Sequence, residues 1–172
     1  MTEGWQFTRD IALRTRPGEE GRLVIAASLR DHRLGEPIHY IDVEAEVGIA
    51  DGTIHRIRGE MPHIPHEDCR LALRRLDLLV GERIIPGFSD LVRGVVGSSE
   101  GCTHLAVLVM NLGNVSVQGR AAFAHAMLGE GEARRMIAAQ AEELGLPGSC
   151  ITWREDGPIM SRLQDAQGGL EA

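Results

Sequence analysis

A thiol and an imidazole stand two residues apart in Gly101-Cys102-Thr103-His104-Leu105, directly before the apolar run Ala106-Val107-Leu108-Val109-Met110. Upstream, Cys69 closes the string His63-Ile64-Pro65-His66-Glu67-Asp68-Cys69, and His39 lies in Pro37-Ile38-His39-Tyr40. Sulfur and imidazole donors at the edges of apolar segments suit two kinds of chemistry. One is a metal site; the other is a thiol activated by a neighbouring imidazole.

Each candidate has a plainer reading. Cys69 falls at the start of a predicted helix, where free backbone N–H groups and the helix dipole favour a thiolate. It equally fits a small buried hydrophobe. Cys102 and His104 cannot share one helical face, because only residues three or four apart do so. They converge only at a helix terminus, with the first still outside the helix. His39 begins a strand, and a lone histidine there is commonly a hydrogen-bonded structural residue. His63 and His66 crowd Cys69 and read either as ligands or proton shuttles, or as solvated loop residues. His32, His55 and His125 carry no functional expectation. Asp42, Glu44 and Glu46 alternate on one strand face and read as the solvated side of a sheet. Cys150 is expected to be buried near the C-terminus.

Composition excludes several classes. The 172 residues carry a net charge of −7, contain no lysine and are only 3% aromatic. Neither a basic phosphate-tracking surface nor a base-stacking platform is on offer. There is no Gly-rich phosphate loop, no G-x-G-x-x-G after a strand, no C-x-x-C and no H-E-x-x-H. No nucleotide cofactor, nucleic acid or membrane partner is expected. The N-terminal string Met1-Thr2-Glu3-Gly4-Trp5-Gln6 lacks an export pattern, so the expected compartment is the cytoplasm, with three reduced cysteines.

The elements that must position these residues follow from periodicity. Residues 6–16 read as an edge strand, and residues 22–31 as a strand buried on both faces. His39 to Ile49 is the clearest strand, with Ile41, Val43, Ala45, Val47 and Ile49 on one face. Asp51-Gly52 signals a hairpin, and Thr53 to Met61 returns, with Ile54 and Ile57 out of step. Helices follow: a Leu-rich segment after Pro65 that stops at Gly81, then 88–96, then a long one from Cys102 to about Leu128 with Gly113 and Gly119 as weak points. A last amphipathic helix spans Glu130 to Leu144, closed by Gly145 and Pro147. Strands first and helices second predict an α+β fold, a meander of three to four strands with helices on one face. The expectation is a single domain over 1–172, with a core over 5–155 and a flexible tail at 164–172.

The strings Pro37-Ile38-His39, Pro65 with Cys69, Leu79-Val80-Gly81, Pro86-Gly87-Phe88 and Gly101-Cys102-Thr103-His104-Leu105 resemble an uncharacterised bacterial family, number 2889 among domains of unknown function. The resemblance implies a setting among catabolic genes for aromatic or steroid-like compounds. The order of features is also similar to the NifU N-terminal and SufE-like iron–sulfur scaffolds. That second likeness implies a ligand pocket at His39, Cys69, Cys102 and His104. Its first ligand would be His instead of Cys, and its last pair is reordered. Such a mixed set suits Zn²⁺ or Fe²⁺.

Two functions follow as expectations. The first is a small-molecule catabolic enzyme, a lyase or hydrolase acting on an apolar, aromatic-type compound, with His39, Cys69 and His104 as the catalytic residues and a metal-competent pocket. The second is a non-catalytic metal or iron–sulfur carrier. An interaction domain whose Cys and His merely pack is the bland alternative. A homodimer is compatible with the apolar strand Leu23 to Leu29.

Overall fold

The computed structural model describes residues 4–162. They fall into two compact units, Met1–Arg120 and Ala121–Ala172. The expected tail at 164–172 lies outside the described residues.

The first unit opens with four strands, β1 (Phe7–Pro17), β2 (Arg22–Arg33), β3 (Glu36–Gly48) and β4 (Ile54–His63). They pair antiparallel in the order β1-β2-β3-β4, the expected meander. Side chains alternate between the two faces of a strand, so odd-numbered residues of β2 and β3 share one face. Leu23, Ile25, Ala27, Leu29, Ile41, Val43, Ala45 and Val47 on that face are all buried. β2 departs from the expectation of burial on both faces. On its other face Val24 is buried, but Ala26, Ser28 and Arg30 are only half-buried. Val24 and Ala26 make the run from Leu23 to Ala27 continuously apolar, which reads as core on both faces although only Val24 of the outward pair is buried.

The carboxylates on the outward face are paired. Asp42 meets Arg30 at 2.6 Å, Glu44 meets Arg58 at 2.7 Å, and Glu46 meets Arg22 at 3.1 Å. In β4 the register slips between Glu46↔Arg56 and Val47↔Ile54, leaving His55 as an extra residue. That bulge lets both Ile54 and Ile57 turn inward.

The inward face is covered by helical segments. The Leu-rich stretch Glu67–Leu79 is helical, but it winds as a 3₁₀ helix. Ala72, Leu76 and Leu79 are buried, while Leu71 and Leu78 are exposed. Such a spacing fits three residues per turn as well as 3.6, so periodicity alone could not separate the two. Two α-helices follow, α1 (Phe88–Val95) and α2 (Thr103–Leu128), whose course through Arg120 belongs to this unit. Val92, Val96, Leu105, Leu108 and Leu112 join the sheet residues in one core. Gly119 proves to be a contact, not a weak point. A Cβ there would lie 2.7 Å from both Leu23 Cδ2 and Thr15 Cγ2, so α2 approaches the sheet at bare-backbone distance. Next to it, buried Arg120 donates from Nε to Ile49 O at 2.7 Å and from Nη2 to Ala50 O at 2.8 Å, tying down the end of β3.

The second unit contains the end of α2 and then α3 (Glu130–Ala139). The expected helix to Leu144 is thus shortened. Turns take over at Gln140 and run to Gly145, which has φ 65°. Cys150 is exposed, against expectation. It sits in a tight turn whose carbonyl accepts the Trp153 N–H at 3.0 Å, and the turn leaves no apolar layer to cover it. Among the described residues, no helix is long and apolar enough to cross a membrane.

Candidate functional site

The inward face turns polar at one end of the sheet. The register sets Arg9 opposite Asp31, and Asp31 opposite His39, forming one row across β1, β2 and β3. Gln6 O accepts the Leu34 N–H and Gly18 N donates to Arg22 O, which fixes the phase of the β1–β2 ladder. Arg9 and Asp31 therefore fall at a non-hydrogen-bonded position, where facing side chains come closest. Arg9 grips the carboxylate with both arms, Nε to Oδ1 and Nη2 to Oδ2, each at 2.7 Å. His39 Nδ1 lies 3.0 Å from Oδ2. A register shift between Asp31 and His32 leaves Ile38 as an extra residue just before His39. Bulges of this kind commonly re-aim a side chain beside a site.

Asp31 is fully buried, with 0% of its surface exposed. Burial pushes its carboxyl upward, but the hydrogen bonds from Arg9 and His39 outweigh this and hold it below the ordinary value. An ionised carboxylate only accepts hydrogen bonds. His39 Nδ1 must then be the donor, and Nε2 is the ring nitrogen that this hydrogen bond does not use.

His104 completes the group from the start of α2. Its ring stacks on His39 with centroids 4.0 Å apart and planes at 29°. Burial lowers its pKa below the ordinary value, and the neighbouring His39 and Arg9 lower it further against the pull of Asp31. His104 is therefore neutral at pH 7. Cys102 stands just outside the helix, donating its N–H to Val96 O at 2.8 Å and accepting from Ala106 N at 2.9 Å. This arrangement demands Gly101, where a Cβ would collide with Val96 O at 1.9 Å. Its result is a Cys102 Sγ to His104 Nδ1 distance of 3.8 Å.

Of the residues singled out from sequence, the fold brings together His39, His104 and, beside them, Cys102. Cys69 is half-buried in the first turn of the 3₁₀ segment and packs against the core. Among the described residues, the donor atoms that lie within 4.8 Å of one another come from Asp31, His39 and His104; neither Cys69 nor Cys102 belongs to that group. His63 is near Tyr40, with centroids 5.8 Å apart, and Tyr40 OH is 2.8 Å from His32 Nε2. His66 is exposed at the cap of the 3₁₀ segment.

Sequence reasoning missed Asp31 and Arg9. The signal was present in parity. Leu23, Ile25, Ala27 and Leu29 mark the inward face, and Asp31 is the next residue in that series.

The fold and site thus define a class: an antiparallel meander backed by helices, with an Arg–Asp–His row centred on a buried aspartate and capped by a second imidazole. The chain belongs to the family described as "Protein of unknown function (DUF2889)", whose profile matches residues 7–118. That span includes the whole row and His104, and stops close to the end of the first compact unit. No curated protein and no solved structure matches. The expected likeness to iron–sulfur scaffolds is not shown by these comparisons.

Proposed function

We propose that the protein is an enzyme performing acid–base chemistry on a small, largely apolar carbon compound, as a carbon–carbon lyase or a hydrolase. The observation that carries this reading is a His39 ring anchored at Nδ1 by ionised Asp31 and stacked on neutral His104, with Nε2 unused by that hydrogen bond. Asp31 orients the ring and offers a counter-charge to an imidazolium that forms during turnover. In the lyase form, His39 takes the hydroxyl proton of an alcohol. The adjacent carbon–carbon bond breaks, and its electron pair stays on the carbon left behind. A small aldehyde leaves, and the proton returns to that carbon directly or by way of His104. An aromatic ring next to that carbon would spread the charge. In the hydrolase form, the same pair takes a proton from water and returns it to the leaving group. Cys69 has no part in this proposal.

A second reading is a metal site, and the proximity of three donor atoms favours it. Asp31 fits the role poorly, since both of its oxygens already accept from Arg9, a cation. The metal would rest on His39, His104 and Cys102, with Zn²⁺ or Fe²⁺ the fitting ions. The carrier function would follow if such a protein bound metal without turning anything over. Three unbridged cysteines fit a cytoplasmic location.

The test is a panel of aromatic hydroxymethyl compounds and aromatic esters, followed by aldehyde derivatisation and mass spectrometry. The wild-type protein should turn over members of one class, and His39→Gln and His104→Ala should not. Wild-type rates in both variants would sink the assignment. Elemental mass spectrometry on wild type, His104→Ala and Cys69→Ala separates the metal reading: bound metal should vanish only in His104→Ala.

A further inference from the structure

We infer that β1 is a self-complementary dimer edge, and that its partner is β1 of a second copy of this chain. Among the described residues, β1 has a neighbouring strand on one side only. The ladder phase set by Gln6 with Leu34 and by Gly18 with Arg22 turns the even residues of β1 toward β2. The N–H and C=O groups of Phe7, Arg9, Ile11, Leu13 and Thr15 therefore point to the open edge. Such an edge is a template for another strand, and proteins commonly blunt it with charge, proline or a cover. Here the strand is eleven residues long. Ile11 and Leu13 keep partial exposure, and its proline comes last.

The charges on β1 make an unusual pattern for a blunted edge. Turn the strand antiparallel on itself about Ala12, and all of 7–17 overlaps. Asp10 then faces Arg14 of the other copy, and Arg14 faces its Asp10. Both residues are exposed, and neither makes an ion pair or side-chain hydrogen bond among the described residues. In this register they occupy non-hydrogen-bonded positions, where facing side chains are closest. The odd residues meet as hydrogen-bonded pairs, Ile11 with Leu13 and Arg9 with Thr15. Phe7 meets Pro17, so the residue with no N–H falls at the end of the ladder, where its loss costs least. Ile11 and Leu13 cover each other's remaining apolar surface on the inward face. The pairing also sets the other copy's Thr15 beside Arg9, the residue that holds Asp31. This inference stands apart from the chemistry proposed above.

The experiment is sedimentation equilibrium on the full chain, with circular dichroism to confirm folding. Wild type should weigh twice 18.7 kDa at micromolar concentrations. Arg14→Glu sets like charges opposite each other twice and should weaken the dimer about tenfold or more. The double variant Asp10→Arg with Arg14→Glu reverses both pairs and should restore wild-type affinity. A monomeric wild type, a dimer indifferent to Arg14→Glu, or a folded double variant that stays dissociated would each overturn the inference.

Discussion

Asp31 and His39 are direct register partners across the β2–β3 ladder, and their side chains meet at 3.0 Å on the buried face of the sheet. A carboxylate in that place needs compensation. Arg9, the partner of Asp31 on the opposite side, supplies it with two charge-assisted hydrogen bonds. The three residues form a unit in which each change has a distinct consequence. Arg9→Ala leaves a buried charge with one imidazole for support, and should cost about 2–4 kcal/mol. Asp31→Asn should cost less, because Arg9 is part-exposed and can turn to water. It should damage activity more, by replacing the charged acceptor that fixes His39 Nδ1–H with a neutral amide that can present its NH2 to the ring instead. Urea unfolding gives the order of the two stabilities. Nitrogen-detected NMR of the histidine rings gives the tautomer, and a wild-type tautomer in Asp31→Asn would contradict the orienting role.

Stability should fall in two stages on acidification. His104 has a folded pKa below its ordinary 6.5, so the unfolded chain binds this proton first. Stability from this group is complete above pH 6.5 and declines as the pH drops below that value, until the folded form also protonates. Asp31 and Asp51 have folded values below the ordinary 3.8, the latter through hydrogen bonds from Thr53. Their contribution is present above that value and is lost as the pH falls through the folded pKa. A melting-temperature series from neutral to acid pH should show both stages. His104→Gln should remove the upper stage and leave the lower one.

Much of this was legible in the sequence, for physical reasons that differ by element. The alternation of Ile41, Val43, Ala45 and Val47 and the Asp51-Gly52 turn specify a hairpin almost alone, and β3 and β4 follow them. His39 and His104 could be named from their places at element ends, because an end frees a side chain from the core. Asp31 was harder. Parity puts it next in the inward series after Leu29, but a charge at a strand end gains a role only once its partners Arg9 and His39 are known, and pairing is a property of two strands. Cys69 shows the converse. Its residue type and helix-start position suggest chemistry, but the 3₁₀ segment packs it on the core. The early stop of α3 and the exposure of Cys150 depend on packing in the second unit that no local pattern records.

Gly119 should gain no stability from a side chain. The Cβ of an alanine would lie 2.7 Å from Leu23 Cδ2 and from Thr15 Cγ2, and Leu23 is fully buried with no room to yield. Helix propensity favours alanine over glycine by up to about 1 kcal/mol. Overpacking opposes it by about 1–3 kcal/mol. Gly119→Ala should therefore be neutral to destabilising, and Gly119→Val clearly destabilising by denaturant midpoint. Gly131 offers the control. It lies in α3 with open space around it, so Gly131→Ala should stabilise through propensity alone. A stabilised Gly119→Val would show that α2 does not ride this close to the sheet.

The thiol of Cys102 should report on His104. Their 3.8 Å contact links Sγ to Nδ1, while the backbone of Cys102 is held by Val96 and Ala106 irrespective of its side chain. Cys102→Ser keeps the size and the helix start but shortens the reach of the side-chain atom. The fold should survive, because serine is a good residue at a helix N-terminus. The His104 titration, followed by NMR of its ring protons, should move, since the group touching Nδ1 has changed chemistry. Cys69→Ser places a hydroxyl against the core and should cost stability without moving His104. An unmoved His104 in Cys102→Ser, or a shift of equal size in Cys69→Ser, would remove Cys102 from the site and leave the two imidazoles and Asp31 to account for its chemistry.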